Sequence, residues 1–205
     1  MDDSQVKEDL AYLRRVIEDS RRVVIDNGMH LLLWGILVVV GMILTYAYVH
    51  FGLNFPEAWM WILLIGAGWL LSIWIGWVKA KKTGAGTFLE RVMRSLWIGL
   101  GITMTISGFL GPATRVIPSL SVIPLLSFLL ATGFLVTSVI QQERLLRYAA
   151  IGWWIGGLIS MFWPGDYTIL LFAGMMIAFQ IIPGLYLYRK WKIDERSPLE
   201  AETES

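Results

Sequence analysis

The sequence predicts an all-α protein, a polytopic bundle of six transmembrane helices preceded by a short amphipathic helix. Three observations carry that prediction. The first is composition: 56% of the 205 residues are hydrophobic and only 16% are charged, against about 25% charged in an ordinary water-soluble domain. The second is patterning. No Asp, Glu, Lys, Arg or His interrupts Leu31 to Val49, Ala58 to Val78, Ser95 to Thr114, Val116 to Gln142, Tyr148 to Gly165 or Tyr167 to Tyr188. A bilayer core about 30 Å thick takes roughly 20 residues of helix, so each stretch fits one span. Continuous apolar runs also exclude a membrane β-barrel, whose strands alternate.

The third observation is the placement of the basic residues. Counting from an N-terminus on the inside, sixteen of the seventeen Lys and Arg fall in inside segments, and Arg115 alone falls outside. That asymmetry is the positive-inside rule. It predicts a multi-pass protein of the cell inner (plasma) membrane with both termini in the cytoplasm. A net charge of +1 leaves no electrostatic footprint for nucleic acid. With no cysteine in the chain, disulfides and thiolate chemistry are excluded. The first 30 residues are charged, unlike the short basic region and apolar core of a signal peptide.

Residues 1–28 form the first unit. Val6, Leu10, Leu13, Ile17, Ser20 and Val24 recur at spacings of four and three, which places them on one stripe of a helix. Ser4 caps its start, and Asp26-Asn27-Gly28 ends it. Seven acidic residues accompany five basic ones up to Asp26, so the helix does not read as a polybasic lipid-seeking segment. Leu10, Leu13, Ile17 and Val24 are therefore expected to face protein, either a second copy, another partner, or the chain's own cytoplasmic loops.

The membrane domain spans 29–190, with helices expected at about 29–49, 58–78, 95–111, 118–140, 148–163 and 167–188. Thr87 through Glu90 fits a capping box, so the third helix is expected to begin before its apolar run. Pro124 either opens the fourth span or bends a helix already begun. Pro183-Gly184 is expected to bend the sixth helix and free one backbone carbonyl. Residues 191–205 are polar and Glu-rich and are expected to form a disordered cytoplasmic tail.

Trp-Ile-Gly occurs three times, at Trp74, Trp97 and Trp154. Most of the eleven Trp fall near the two expected membrane surfaces, which reads as an aromatic belt. Trp69 is the deep exception, and its N–H requires a partner. Small residues recur four apart on three spans: Gly68, Ser72 and Gly76; Gly99, Thr103, Ser107 and Gly111; Gly152, Gly156 and Ser160. Such stripes let helix backbones approach closely. Aligning Gly99 with Gly156 is also consistent with three repeated hairpins, a device known in transporters.

Chemistry-bearing residues are sparse. His30 and His50 stand at opposite ends of the first span, and no His/Cys/carboxylate cluster accompanies them. "KTGAGTF" from Lys82 lacks the Lys-Ser/Thr of a phosphate loop. No ionisable residue lies in the expected membrane core, which argues against a proton-driven pump. Gln180 is the most polar deep side chain, with Trp69 or the hydroxyls of the small-residue faces as expected partners. No catalytic residue, metal or cofactor is expected. The sequence leaves two readings: a non-enzymatic regulatory, sensory or scaffold subunit, or a transporter or channel for a small neutral or lipophilic molecule. In the second, Trp69 and Gln180 would line the path.

Overall fold

Six long helices account for the regular structure of the residues described by the computed structural model, which are 28–52, 56–83 and 88–203. In chain order they are α1 (Met29–Phe51), α2 (Glu57–Thr83), α3 (Phe88–Ala113), α4 (Ser119–Gln141), α5 (Arg144–Phe162) and α6, which begins at Tyr167 and runs to Thr203. All six are long and apolar enough to cross a membrane. The stripe of Leu10, Leu13, Ile17 and Val24 lies outside the described residues, as does Thr87 of the expected capping box.

Most boundaries follow local chemistry. Gly28 precedes α1 in the left-handed region at φ +66°, and a Cβ there would lie 2.3 Å from the Gly184 carbonyl oxygen. Only glycine satisfies both the dihedral and this close passage against α6. α3 is already helical at Phe88, seven residues ahead of Ser95 where its apolar run begins. Pro118, with ψ 138°, stands just before α4, and Pro124 sits buried inside that helix. The choice left open for Pro124 is thus settled, because the helix has already begun when it arrives.

α6 runs on past its expected end near 188, through Trp191 to Thr203. No Gly follows Gly184 to stop it, and Lys, Glu, Leu and Ala are strong helix formers.

Two π segments interrupt the α geometry: Ile106–Leu110 in α3 and Ile177–Ile181 in α6. A proline follows each by two residues, Pro112 and Pro183. A proline ring clashes with the carbonyl four residues earlier and offers it no N–H. Here those carbonyls belong to Gly108 and Phe179, both inside the widened turns. The wider i→i+5 turn absorbs the mismatch. The bend expected at Pro183 is thus expressed as a π turn.

Helices follow one another around a ring. α1 packs on α2, α3 on α4, α4 on α5 and α5 on α6, and α6 closes the ring against α1. The most extensive contact joins α4 and α5. Between α2 and α3, Trp69 reaches across to Thr105. We call the end where α1 begins the near face. There, two ion pairs tie neighbouring helices: Lys79 to Glu90 at 3.4 Å between α2 and α3, and Lys190 to Glu143 between α6 and the start of α5.

The core lies among α4, α5 and α6. An aromatic chain runs through it, with ring centroids 5.6 Å apart for Trp97–Phe134, 6.5 Å for Phe134–Trp153 and 5.4 Å for Trp153–Phe172. Leu146, Ala149, Ala150, Met175, Met176 and Leu187 fill the space around it. Removing a large buried side chain leaves a cavity that the neighbours refill only in part. Trp153→Ala should therefore cost about 3–5 kcal/mol in a reversible unfolding titration in mixed micelles. Trp163→Ala, at an exposed site, should change stability by no more than about 0.5 kcal/mol.

Candidate functional site

The polar groups of this bundle are few, and the same local device handles most of the indoles. Trp34 on α1 donates its Nε1–H to Ser72 Oγ on α2 at 3.0 Å. Trp61 on α2 donates back to Thr45 Oγ1 on α1 at 3.0 Å. Trp69 on α2 donates to Thr105 Oγ1 on α3 at 3.3 Å. Trp97 on α3 donates to Thr137 Oγ1 on α4 at 3.2 Å.

In all four cases a glycine stands four residues before the hydroxyl and takes the indole ring. A Cβ placed on Gly68 would lie 2.8 Å from the Trp34 ring, and one on Gly41 2.5 Å from Trp61. The corresponding distances are 3.0 Å from Gly101 to Trp69 and 3.2 Å from Gly133 to Trp97. Residues i and i+4 share a helix face, so Gly-x-x-x-Ser/Thr supplies a flat socket and an acceptor side by side. The hydroxyl proton is also provided for. Thr105 and Thr137 each donate to the carbonyl of their own socket glycine, Gly101 and Gly133, at 2.7 Å. That leaves the hydroxyl lone pairs turned to the indole.

This arrangement revises the reading of the tryptophans. Trp59, Trp74, Trp77 and Trp163 are exposed, as belt residues would be, but Trp34, Trp61, Trp69 and Trp97 are interhelical fasteners and Trp153 is fully buried. Trp69 is not exceptional: it is one of four equivalent clasps, and its ring also meets Trp34 edge-on at 5.9 Å.

The small-residue stripes divide into filled and open positions. On α2, Gly68 and Ser72 hold Trp34, whereas a Cβ on Gly76 would meet no atom within 4 Å among the described residues. On α5, Gly152 receives Phe179 and Gly156 receives Met175, while Ser160 is buried and donates to the Gly156 carbonyl. On α3, Gly111 receives Ile117 from the following loop. Among the described residues the rest of that stripe is open: Gly99 has no neighbour within 4 Å of a Cβ, Thr103 is exposed, and Ser107 donates to the Thr103 carbonyl of its own helix. Where the stripes are used, they accept side chains from the next helix, and a wide ring sits where a backbone was expected.

Gln180 lies in the π segment of α6, buried against α1. Its Nε2 donates to the Leu31 carbonyl at 3.4 Å, and its Cγ is 3.6 Å from where a Gly35 Cβ would be. The side-chain oxygen has no partner among the described residues, and the same holds for Trp153 Nε1 and Gln141 Oε1. Neither expected partner of Gln180 is found. Trp69 is committed to Thr105, and the two residues belong to different helix pairs, α2–α3 and α1–α6. An open cleft of about 500 Å³ runs along Ile182, Leu185, Tyr186, Arg189, Lys190 and Ile193, and neither Trp69 nor Gln180 lines it.

Among the described residues no three His, Cys, Asp or Glu side chains gather as a metal site. His30 and His50 sit at opposite ends of α1, and His50 stacks on Tyr46 at 4.0 Å. No family model, curated protein or solved structure matches this chain.

The clasp can be tested as a pair. Trp69→Phe and Thr105→Val each remove one side of the same bond. A double-mutant cycle on unfolding should return a coupling of about 0.5–1.5 kcal/mol. A coupling indistinguishable from zero would show that the two groups stabilise independently.

Proposed function

We propose that this chain is a non-enzymatic integral membrane protein that acts as a regulatory, sensory or scaffold subunit. In this reading the near face and both termini lie in the cytoplasm of a cell whose inner membrane holds the bundle. Lipid surrounds the helices, and the stripe of Leu10, Leu13, Ile17 and Val24 meets a protein partner.

The observation that supports this reading is the filled interior. A carrier for a small neutral or lipophilic molecule needs a path between helices, and Trp69 and Gln180 were its lining residues. Here Trp69 occupies the Gly101 socket, Gln180 is pressed on Gly35, and Trp97, Phe134, Trp153 and Phe172 fill the space farther round. The side chains that would have made a polar route are instead consumed in holding helices together.

Two measurements test the proposal. Leu13→Glu with Ile17→Glu should abolish chemical crosslinking of the chain to its partner in native membranes while leaving the bundle's unfolding unchanged. Retained crosslinking would remove the N-terminal stripe as the partner face. Proteoliposomes carrying the protein should release small neutral solutes no faster than empty ones. Saturable release that Trp69→Ala weakens would replace this reading with the carrier.

A further inference from the structure

The sequence contains six Gly-x-x-x-Ser/Thr pairs: Gly41–Thr45, Gly68–Ser72, Gly99–Thr103, Gly101–Thr105, Gly133–Thr137 and Gly156–Ser160. Four hold an indole, and Met175 fills the one at Gly156. Gly99–Thr103 is empty. It faces outward on α3, and among the described residues no atom lies within 4 Å of a Cβ on Gly99. Its hydroxyl is already set as in the filled clasps. Thr103 donates to the Gly99 carbonyl at 2.9 Å, as Thr105 does to Gly101 and Thr137 to Gly133, so its lone pairs point away from the bundle.

The chain also carries an indole without a socket. Trp74 on α2 is 60% exposed, and among the described residues its N–H has no acceptor. At an exposed site this N–H can bond a hydroxyl that another molecule presents, while the ring packs on a flat apolar surface. Depth matches as well. Trp69 marks the level of Gly101–Thr105 on the antiparallel α3. Trp74 lies five residues toward the near face and the empty socket two, about 7.5 Å and about 3 Å at 1.5 Å per residue. The difference, about 4.5 Å, is within one helical turn.

Within one chain Trp74 cannot reach this socket, since Trp69 already occupies the α2–α3 seam. A second copy can supply it. Rotation about an axis along the helices preserves depth, so Trp74 of each copy meets Gly99–Thr103 of the other, a closed two-fold contact of the isologous kind. We propose that the outer face of α2 and α3 is a homodimer interface, in which Trp74 of one copy inserts against Gly99 and donates to Thr103 of its partner. This interface is separate from the N-terminal partner face and stands whether or not that face binds anything.

The test is the monomer–dimer equilibrium in liposomes, read by single-molecule photobleaching at graded dilution. The wild type should dimerise. Gly99→Leu fills the socket from within and Trp74→Ala removes its occupant, so each should weaken association at least about tenfold. Trp74→Phe keeps a ring without an N–H and should fall between. Gly174→Leu, exposed on α6 away from this face and with equally open space among the described residues, should leave the equilibrium unchanged, as should the Leu13/Ile17 double variant. Near-UV circular dichroism should show wild-type packing in Gly99→Leu, whose new side chain has open space among the described residues. A monomeric wild type overturns the proposal. So does a dimer that survives Gly99→Leu. An effect of Trp74→Ala alone also overturns it, and would assign Trp74 to the lipid surface.

Discussion

Four half-buried indole N–H groups find their acceptors across helix seams, and the arrangement of α1 to α4 follows from where those groups go. Each of the four clasps sets two things at once. The ring occupies a glycine, which fixes the separation of two helices, and the N–H finds a hydroxyl one turn along, which fixes their relative slide. In Thr105 and Thr137 the acceptor hydroxyl also gives its own proton to the socket carbonyl. Three groups are there satisfied by one glycine and one Thr four residues apart.

The clasps are distributed unevenly, and so is the solidity of the bundle. They join α1 to α2 twice, α2 to α3 once and α3 to α4 once. Beyond α4 the device changes. Phe179, Met175 and Phe128 fill the glycines of α5, and Trp153 is enclosed by rings with no acceptor for its N–H among the described residues. Dispersion between close-packed rings holds this half together. On the other side α2 and α3 meet chiefly through Trp69 and the Lys79–Glu90 pair, so their outer faces stay available. The Pro112 and Pro183 turns add local widening to α3 and α6, where a straight α-helix would clash with itself.

The six helices were legible in the sequence because their signal is one-dimensional: an uncharged run long enough to span, bounded by charges or Gly and Pro. The start of α3 ahead of Ser95 follows from the same rules. What composition could not reveal was pairing. Gly68, Ser72 and Gly76 read as one stripe, yet only the first two are used, because contact depends on which residue of α1 lies opposite. Trp34 and Trp97 sit near span ends and read as surface anchors, although each turns inward to a hydroxyl about forty positions later. A search for Gly-x-x-x-Ser/Thr together with Trp on a neighbouring helix would have found the pattern. The length of α6 was not legible either: the apolar run ends near 188, yet Lys, Glu, Leu and Ala carry a helix beyond it.

The most direct measurement of the central claim is hydrogen exchange at the indole nitrogens, resolved by ¹⁵N-labelled tryptophan in lipid nanodiscs. If indoles are held by hydroxyls across helices, the Nε1–H signals of Trp34, Trp61, Trp69 and Trp97 are protected. Each then loses protection when its own partner is replaced: Ser72→Ala for Trp34, Thr45→Val for Trp61, Thr105→Val for Trp69 and Thr137→Val for Trp97. The contradicting result is exchange of these four at the rate of exposed Trp59 and Trp163, or protection that survives all four replacements.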